Sequence, residues 1–440
     1  MPNPTRSNRS TTPVNKTSTD IHYIAIVDPY SSGKLLAPEF EKLGIACIAI
    51  HSQPNNRESF SDSFIPQHFH KSIDWNENVS ELAQQLENYS LLNIIAGTES
   101  GVTLADRLSN QLGFLCNDIN KLGARRDKYL MQETLKKAGL RSIRQYRSDS
   151  LEEVSRWALA LGTWPIVIKP CSSAGSDGVS ICFSLPHLHQ AFNAILGHTN
   201  LMGGVNDSVL VQEFVEGTEY VIDTVSLHGQ HFTSNLCVYK KDISKGAPVY
   251  QEMHFIEPNK PELQAIVRYT HNVLDALGIQ HGPSHSEVLL TNTGPVLVET
   301  GARIHGGYTP YTVQQISSHS QLELTAQCYA KPSLFQANTQ LPCRFHKHAA
   351  VFFFTHHNQG IVEDLPYKAV LKSLASHFDT VWNTRPGDYL GETKDLYTSP
   401  GWVVLTHASK MQFEEDFETV RKLNDSGALV KLEKTQEAFA

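Results

Sequence analysis

Nowhere in its 440 residues does the chain carry 18 consecutive apolar residues, so a membrane-spanning helix is not expected. Cysteine is sparse and poorly placed for pairing: seven, an odd number, at positions 47, 116, 171, 182, 237, 328 and 343, with no CxxC pair. That argues against a disulfide frame and against a zinc knuckle, and it fits a reducing, cytoplasmic setting. The first twenty residues, MPNPTRSNRSTTPVNKTSTD, lack the apolar segment of a secretory signal. Their basic, Ser/Thr-rich bias is faintly that of a transit peptide, but the expectation for 1–20 is a disordered tail. There is no excess of positive charge, since 37 Lys and Arg stand against 45 Asp and Glu. Nothing general attracts nucleic acid; an anionic ligand must be small and held by a local cluster of donors. Histidine is abundant, and His281 and His285 stand four apart as helical metal ligands do, but Gly282-Pro283 between them forbids that helix. His356-His357 follows an apolar run and reads as a strand end, so no structural zinc is expected. No internal repeat is present.

What is there has ordinary globular composition, 40% hydrophobic and 19% charged, in a chain long enough for two or three cores. Residues 23–27 and 45–50 are β-type runs flanking a helical stretch at 34–43 that Gly44 closes. A buried strand at 93–96 and a helix at 102–112 complete a small doubly wound unit. Its first loop, DPYSSGKL, resembles a nucleotide loop only superficially: Asp28 stands where the first Gly belongs, and Leu35 follows Lys34 where Ser or Thr should. After Asp127, YLMQETLKKAG predicts a helix with Leu130, Met131, Leu135 and Ala138 on one side and Gly139 as its stop. Lys128 in the first turn opposes the helix dipole by up to about 1 kcal/mol, which hints at a nearby anion, although a solvated lysine reads the same way.

The stretch IVIKPCSSAGSDGVSICFS, residues 166–184, puts a lysine ahead of a run of small residues. A phosphate loop has its lysine after the glycines, opening a helix. Here 166–168 predicts a strand with Lys169 at its end, 171–178 a loop and 179–183 a returning strand, which together make a hairpin. A tip of Ser and Gly can fold over a ligand and offer backbone N–H groups, although a plain surface turn has the same composition. Further on, a strand at 209–211 leads into QEFVEGTEYVID, with the next strand at 220–225 across a turn at Gly217. Glu213 and Glu219 read locally as rim charges. Residues 261–277 predict an amphipathic scaffold helix with Leu263, Ile266, Val267, Thr270, Leu274 and Leu277 inward and Gly278 ending it.

The most informative stretch is SHSEVLLTNTGPVLVETGARIHGG, residues 284–307. Two apolar strands, 288–290 and 296–298, flank a turn at 291–294, and a hairpin centred near Thr293 opposes Glu287 and Glu299. Opposed carboxylates repel unless a proton or a divalent cation lies between them, and a hard cation that takes one or two carboxylates plus phosphate oxygens suits a nucleotide site. A slipped register would instead send one Glu to solvent. Arg303 follows four residues later in a loop ending at Gly306-Gly307; it is suited to a carboxylate or a transferring phosphoryl group, and the glycines would let N–H groups approach the same anion.

In this order the elements resemble the ATP-grasp superfamily of carboxylate–amine ligases, over roughly residues 120–310. The domain in front and the hundred or so residues behind are similar in arrangement to biotin carboxylase and to bacterial L-amino acid ligases that form dipeptides. The resemblance implies an α/β (α+β ATP-grasp) fold: a tail at 1–20, a doubly wound βαβ domain at 21–115, a small lobe at 116–205, a large lobe at 206–335 and a C-terminal α+β domain at 336–440. It implies ATP and one or two Mg²⁺ ions, with Lys128 and Lys169 on the phosphates and Ser172, Ser173, Ala174, Gly175, Ser176 and Gly178 covering them. Glu213, Phe214 and Val215 would line the adenine, Glu219 would reach the ribose and Leu289 would floor the base. Glu287 and Glu299 would hold metal. Arg303, with Lys169, would act on the reacting groups, and Arg303, Gly306 and Gly307 would face substrate. Gly301 departs from relatives that place a metal-binding Asn there, which leaves either a lost ligand or a water in its place. The form E-T-G-A-R is closer to the amino acid ligases than to biotin carboxylase, and no biotin-attachment pattern is present.

The implied activity is to phosphorylate a carboxylate with ATP and let an amine attack the acyl phosphate, giving an amide, ADP and phosphate. Amino acids are the expected small-molecule substrates, with no nucleic-acid or membrane partner and a homodimer among the allowed assemblies. The alternatives are a carboxylase or nucleotide-precursor ligase of the same superfamily, or a nucleotide-binding protein without ligase activity. The acceptor pocket is expected from loops such as 238–255 and from the C-terminal hundred residues.

Overall fold

Alternate residues of the strand His22–Val27 pack into two different cores. Tyr23, Ala25 and Val27 meet Leu82, Leu86, Leu104 and Leu108 from the helices Val79–Leu86 and Val102–Leu112. Ile24 and Ile26 meet Leu36 and Phe40 of the helix Leu36–Lys42, together with Leu322 and Ala326 of the helix Gln321–Ala330. A strand covered on both faces is apolar throughout, which is why it is visible in the sequence. It sits in a parallel sheet ordered Lys71–Asp74, Ala46–His51, His22–Val27, Ser90–Ala96. The helix expected from 34 begins instead as a 3-10 turn, Ser31–Leu35. Lys71–Asp74 escapes the sequence reading because, at the sheet edge, only Ile73 of its four residues is buried; the short helix Val79–Leu86, which buries Leu82, Ala83 and Leu86, escapes it as well.

These observations come from a computed structural model that describes residues 21–53, 63–173, 175–200, 203–243 and 246–433. The tail expected at 1–20, and Ala174 of the small-residue loop, lie outside the described residues. Among the described residues no helix is long and apolar enough to cross a membrane.

A second, antiparallel sheet has the order Gln145–Ser148, Val209–Glu213, Ile166–Pro170, Ser180–Cys182. The predicted hairpin is present, with Ile166 opposite Cys182 and Ile168 opposite Ser180. The helices Leu151–Leu161 and Leu185–Ile195 pack on it through Val154, Ala158, Leu188 and Phe192. Ser150 and Ser184 start these helices by accepting from the N–H groups of Glu153 and His187, which satisfies donors the first turn would leave open.

The third sheet has eight strands, antiparallel throughout: Gly294–Gly301, Gly282–Thr291, Thr218–Leu227, Gln230–Asp242, Val249–Ile256, His348–Phe353, Gly401–His407 and His377–Trp382. Pairing of Val249–Ile256 with His348–Phe353 makes the strands of 218–301 continuous with those of 348–407. Residues 238–255, expected as a loop, are largely a pair of strands, and Tyr239, Lys241 and Tyr250 break the apolar alternation because that face meets a cavity. The helix Gln264–Ala276 covers the opposite end of the sheet, with Leu263, Ile266, Val267, Thr270, Leu274 and Leu277 all buried as expected. The helix Lys128–Lys137 rests on it by a narrower stripe than expected. Met131 and Leu135 are buried, but Leu130 and Ala138 are exposed, because the buried stripe turns instead through Gln132, which donates to the Leu297 carbonyl and accepts from the Ile143 N–H.

Candidate active site

Glu287 and Glu299 stand directly opposite each other on the strands Gly282–Thr291 and Gly294–Gly301. The turn alone does not place them so. Thr291 pairs with Gly294 and Val288 with Leu297, a register that continued would set Glu287 against Val298. A bulge between Glu287 and Val288 absorbs one residue and restores the pairing; the centre near Thr293 therefore holds only beyond the bulge, and the turn itself lies between Asn292 and Thr293. Bulges re-aim side chains next to functional sites. Both carboxylates are turned inward, with side chains 13% and 26% exposed, so the slipped register does not occur.

Three lysines answer them. Lys128, at the start of its helix, reaches Glu299 Oε2 at 2.8 Å and donates to the Ser173 carbonyl at 2.7 Å. The anion hinted at by its unfavourable place on the helix is thus a carboxylate of the strand Gly294–Gly301. Lys169 is buried at the end of Ile166–Pro170, where desolvation and the neighbouring Lys128 pull its pKa down to about 8. Lys241 pairs with Glu219 at 2.6 Å and lies over the rings of Tyr239 and Tyr250, at 4.8 and 4.2 Å from their centroids. Burial works against its charge, but Glu219, Tyr250 and Glu287 outweigh it and raise its pKa. Burial raises Glu219, and Glu287 and Glu299 add to that against the pull of Lys241. Lys241 is next to last in the strand Gln230–Asp242, opposite Tyr250; in the sequence its only signal is a lysine two residues after Tyr239.

These groups share one cavity of about 980 Å³. Phe214, Val215 and Leu289 form an apolar part of its wall, and Ser173, Gly175 and Ser176 another side. Arg303, Gly306 and Gly307 line it as well. Two expected residues do not: the Ser172 carbonyl accepts from Asn200 Nδ2 at 3.0 Å, and Gly178, at φ +66°, packs on the Pro170 ring. Glu213 borders the cavity, but its carboxylate is taken by the Arg144 side chain at 2.6 Å and backbone N–H at 2.9 Å.

Arg303 is anchored by a residue the sequence reading missed. Its Nε donates to Glu99 Oε2 at 3.0 Å and its Nη1 to the Ile304 carbonyl at 2.9 Å, while Glu99 also pairs closely with Arg126. Burial would raise Glu99, but Arg126 and Arg303 outweigh it and lower its pKa to about 2. Glu99 accounts for Gly301: a Cβ there would fall 2.6 Å from Glu99 Oε2, so a carboxylate from the parallel-sheet domain takes the space of the missing side chain.

Beneath Glu287 lies a buried polar chain, also unforeseen. Asp223 accepts from His285 Nδ1 at 3.0 Å, from His305 Nδ1 at 2.8 Å and from Asn235 at 2.7 Å; His285 Nε2 is 3.6 Å from Glu287. Burial disfavours a charged imidazole, but at His285 the hydrogen bond to Asp223 and the nearby Glu287 carboxylate win and raise its pKa to about 9. At His305 burial wins, lowering it to about 4. Asp223 is the shared orienting carboxylate, and its location on Thr218–Leu227, next to the strand of His285, is invisible without the sheet order.

The ATP-grasp domain family matches residues 163–310. Dapdiamide A synthase of Enterobacter agglomerans is 34% identical over 412 residues, covering 90% of this chain and 95% of that protein. The chain belongs to the ATP-grasp carboxylate–amine ligases. An L-arginine-specific L-amino acid ligase of Bacillus subtilis is 24% identical over 55% of this ligase and 59% of its own length. The crystal structure of L-amino acid ligase from Bacillus licheniformis superposes with a TM-score of 0.71 at 19% identity, over 95% of this ligase and all of that chain, which shows the shared fold. The ATP-grasp ligase described here uses ATP to form an amide bond between a carboxylate and an amine.

Proposed function

We propose that this ligase couples two amino acids. The observation that carries the reading is the convergence, in one cavity of about 980 Å³, of an apolar connector at 214–217, two lysines, two opposed glutamates and an anchored arginine. Phe214, Val215 and Leu289 receive the adenine. The exposed Glu216 and the half-buried Glu219 are placed for the ribose, Glu219 by leaving Lys241. Lys128 and Lys169 take the phosphates, Lys128 by exchanging Glu299 for a phosphate oxygen. Ser173, Gly175 and Ser176 close over them. The paired oxygens of Glu287 and Glu299 suit one or two Mg²⁺ ions, which neutralise phosphate charge when bound. His285, held by Asp223, keeps Glu287 ionised and in place, since its charge favours the carboxylate form.

The chemistry then follows from what the chain orients. A carboxylate oxygen of the first amino acid attacks the terminal phosphorus and ADP departs; the amine of the second attacks the acyl carbon, phosphate leaves, and the nitrogen loses a proton to give the amide. Arg303, fixed by Glu99 and the Ile304 carbonyl, grips the carboxylate and then the acyl phosphate. Closure of the small-residue loop excludes water, which would otherwise hydrolyse that intermediate. Domains at 21–115, 116–205, 206–335 and 336–440 are the working division. The test is ADP release over a panel of amino acid pairs with mass detection of product. A product of two amino acids formed with one ADP supports the reading, and ADP release that depends on bicarbonate or a phosphoribosylamine overturns it.

A further inference from the structure

The cavity does not end at the groups that serve ATP. From Arg303 the chain runs through Gly306-Gly307 to Tyr308, whose ring meets Trp402 with centroids 6.0 Å apart. Beyond lies a recess walled by Met253, Tyr308, Val351, Phe353, Leu396 and Trp402. It is one face of the eight-stranded sheet: Met253 pairs with Val351 and Phe353 with Trp402 across three neighbouring strands. Strands are about 4.8 Å apart, so Trp402 lies roughly 14 Å across the sheet from Tyr239, at the far end from the connector 214–217. None of the six carries a charge, and the nearby polar groups are engaged: Thr309 donates to Met253 Sδ, and Asn383 Nδ2 donates to the Ser399 carbonyl. An apolar wall continuous with a catalytic arginine, without an ionised group, favours an apolar occupant.

We infer that one of the two substrates is an amino acid with a large apolar side chain, seated on Met253, Val351, Phe353 and Trp402 while its polar end lies toward Arg303. The inference rests on the amino acid ligase reading and adds the substrate class. A charged side chain would be desolvated against a wall whose six residues carry no charge, and a small one would leave the wall unfilled.

The test is kcat/KM from ADP release, with mass detection, for all twenty amino acids offered in pairs. Leucine, methionine or phenylalanine in one position should exceed glycine, aspartate and lysine by about thirtyfold or more, within the range expected for pocket discrimination. Val351→Phe, which fills the recess, should lower kcat/KM for leucine and phenylalanine at least about tenfold more than for alanine. Leu396→Ala, at a half-buried position, should shift preference toward the largest side chains and serves as the second variant if Val351→Phe does not fold. Dipeptide formation without an apolar preference in either position, or variants that slow all amino acids in parallel, would overturn this inference and leave the ligase reading standing. ATP binding without ADP release for any pair would overturn both, and the absence of product marks that case.

Discussion

Replacing Arg303 by lysine separates gripping from mere anchoring. The guanidinium spends its Nε on Glu99 and one Nη1 hydrogen on the Ile304 carbonyl, and its side chain, 16% exposed, borders the cavity. Lysine keeps the charge but loses the planar two-point geometry. Loss of one transition-state donor costs about 10²–10³ in rate. With the charge retained the lower end applies, about a hundredfold, equivalent to about 2.7 kcal/mol at 1.36 kcal/mol per decade. Stability should suffer little, because Glu99 keeps Arg126 and no buried carboxylate is left alone; a loss of about 1 kcal/mol would lower Tm by only about 1 °C in a chain of this length. The assay is kcat/KM for the amino acids from ADP release, set against nucleotide affinity from titration. A hundredfold loss in the first with near-constant affinity is expected. Equal losses in both, or a fall in Tm of ten degrees, would show that Arg303 only ties Glu99 to the sheet, and Lys241 would inherit the activating role.

Glu299→Gln should nearly abolish turnover at ordinary magnesium while circular dichroism stays native, and retention of most activity would remove Glu299 from the metal site. ATP should slow hydrogen exchange at Ser173, Gly175 and Ser176, whose N–H groups gain phosphate partners on closure; equal exchange with and without nucleotide would make this stretch a plain turn. Glu252 gives a pH test away from the site. Burial would raise it, but His254, Lys240 and Arg421 outweigh that and lower it to about 2. Its stabilising effect is therefore complete above the unfolded value near 4.5 and is lost as pH falls through about 2. The difference in urea midpoint between wild type and Glu252→Gln should shrink steadily from pH 5 to pH 2, and a constant difference would refute the assignment.

The fold was legible where strands are buried on both faces and where helices are amphipathic or end at a left-handed glycine. The runs at 23–27 and 209–211, and the helix at 102–112, need no tertiary information. Edge elements such as Lys71–Asp74 lack an apolar signature, and strands that floor a cavity look like loops because Tyr and Lys replace their inward apolar residues. The same division holds at the site. Residue types, order and local spacing named Lys128, Lys169, Glu287, Glu299 and Arg303, since a hairpin and a helix start are short-range objects. Spacing did not reveal the bulge that truly opposes the glutamates, because its cost and reward depend on the neighbouring strand. Glu99, Asp223 and His305 come from elements 204, 62 and 82 residues from their partners Arg303, His285 and Asp223. No local pattern records such a separation. The pairing was decided by sheet order and by the packing of the parallel sheet's Glu99 turn against Gly301, where the absence of a side chain leaves room for a carboxylate distant in sequence.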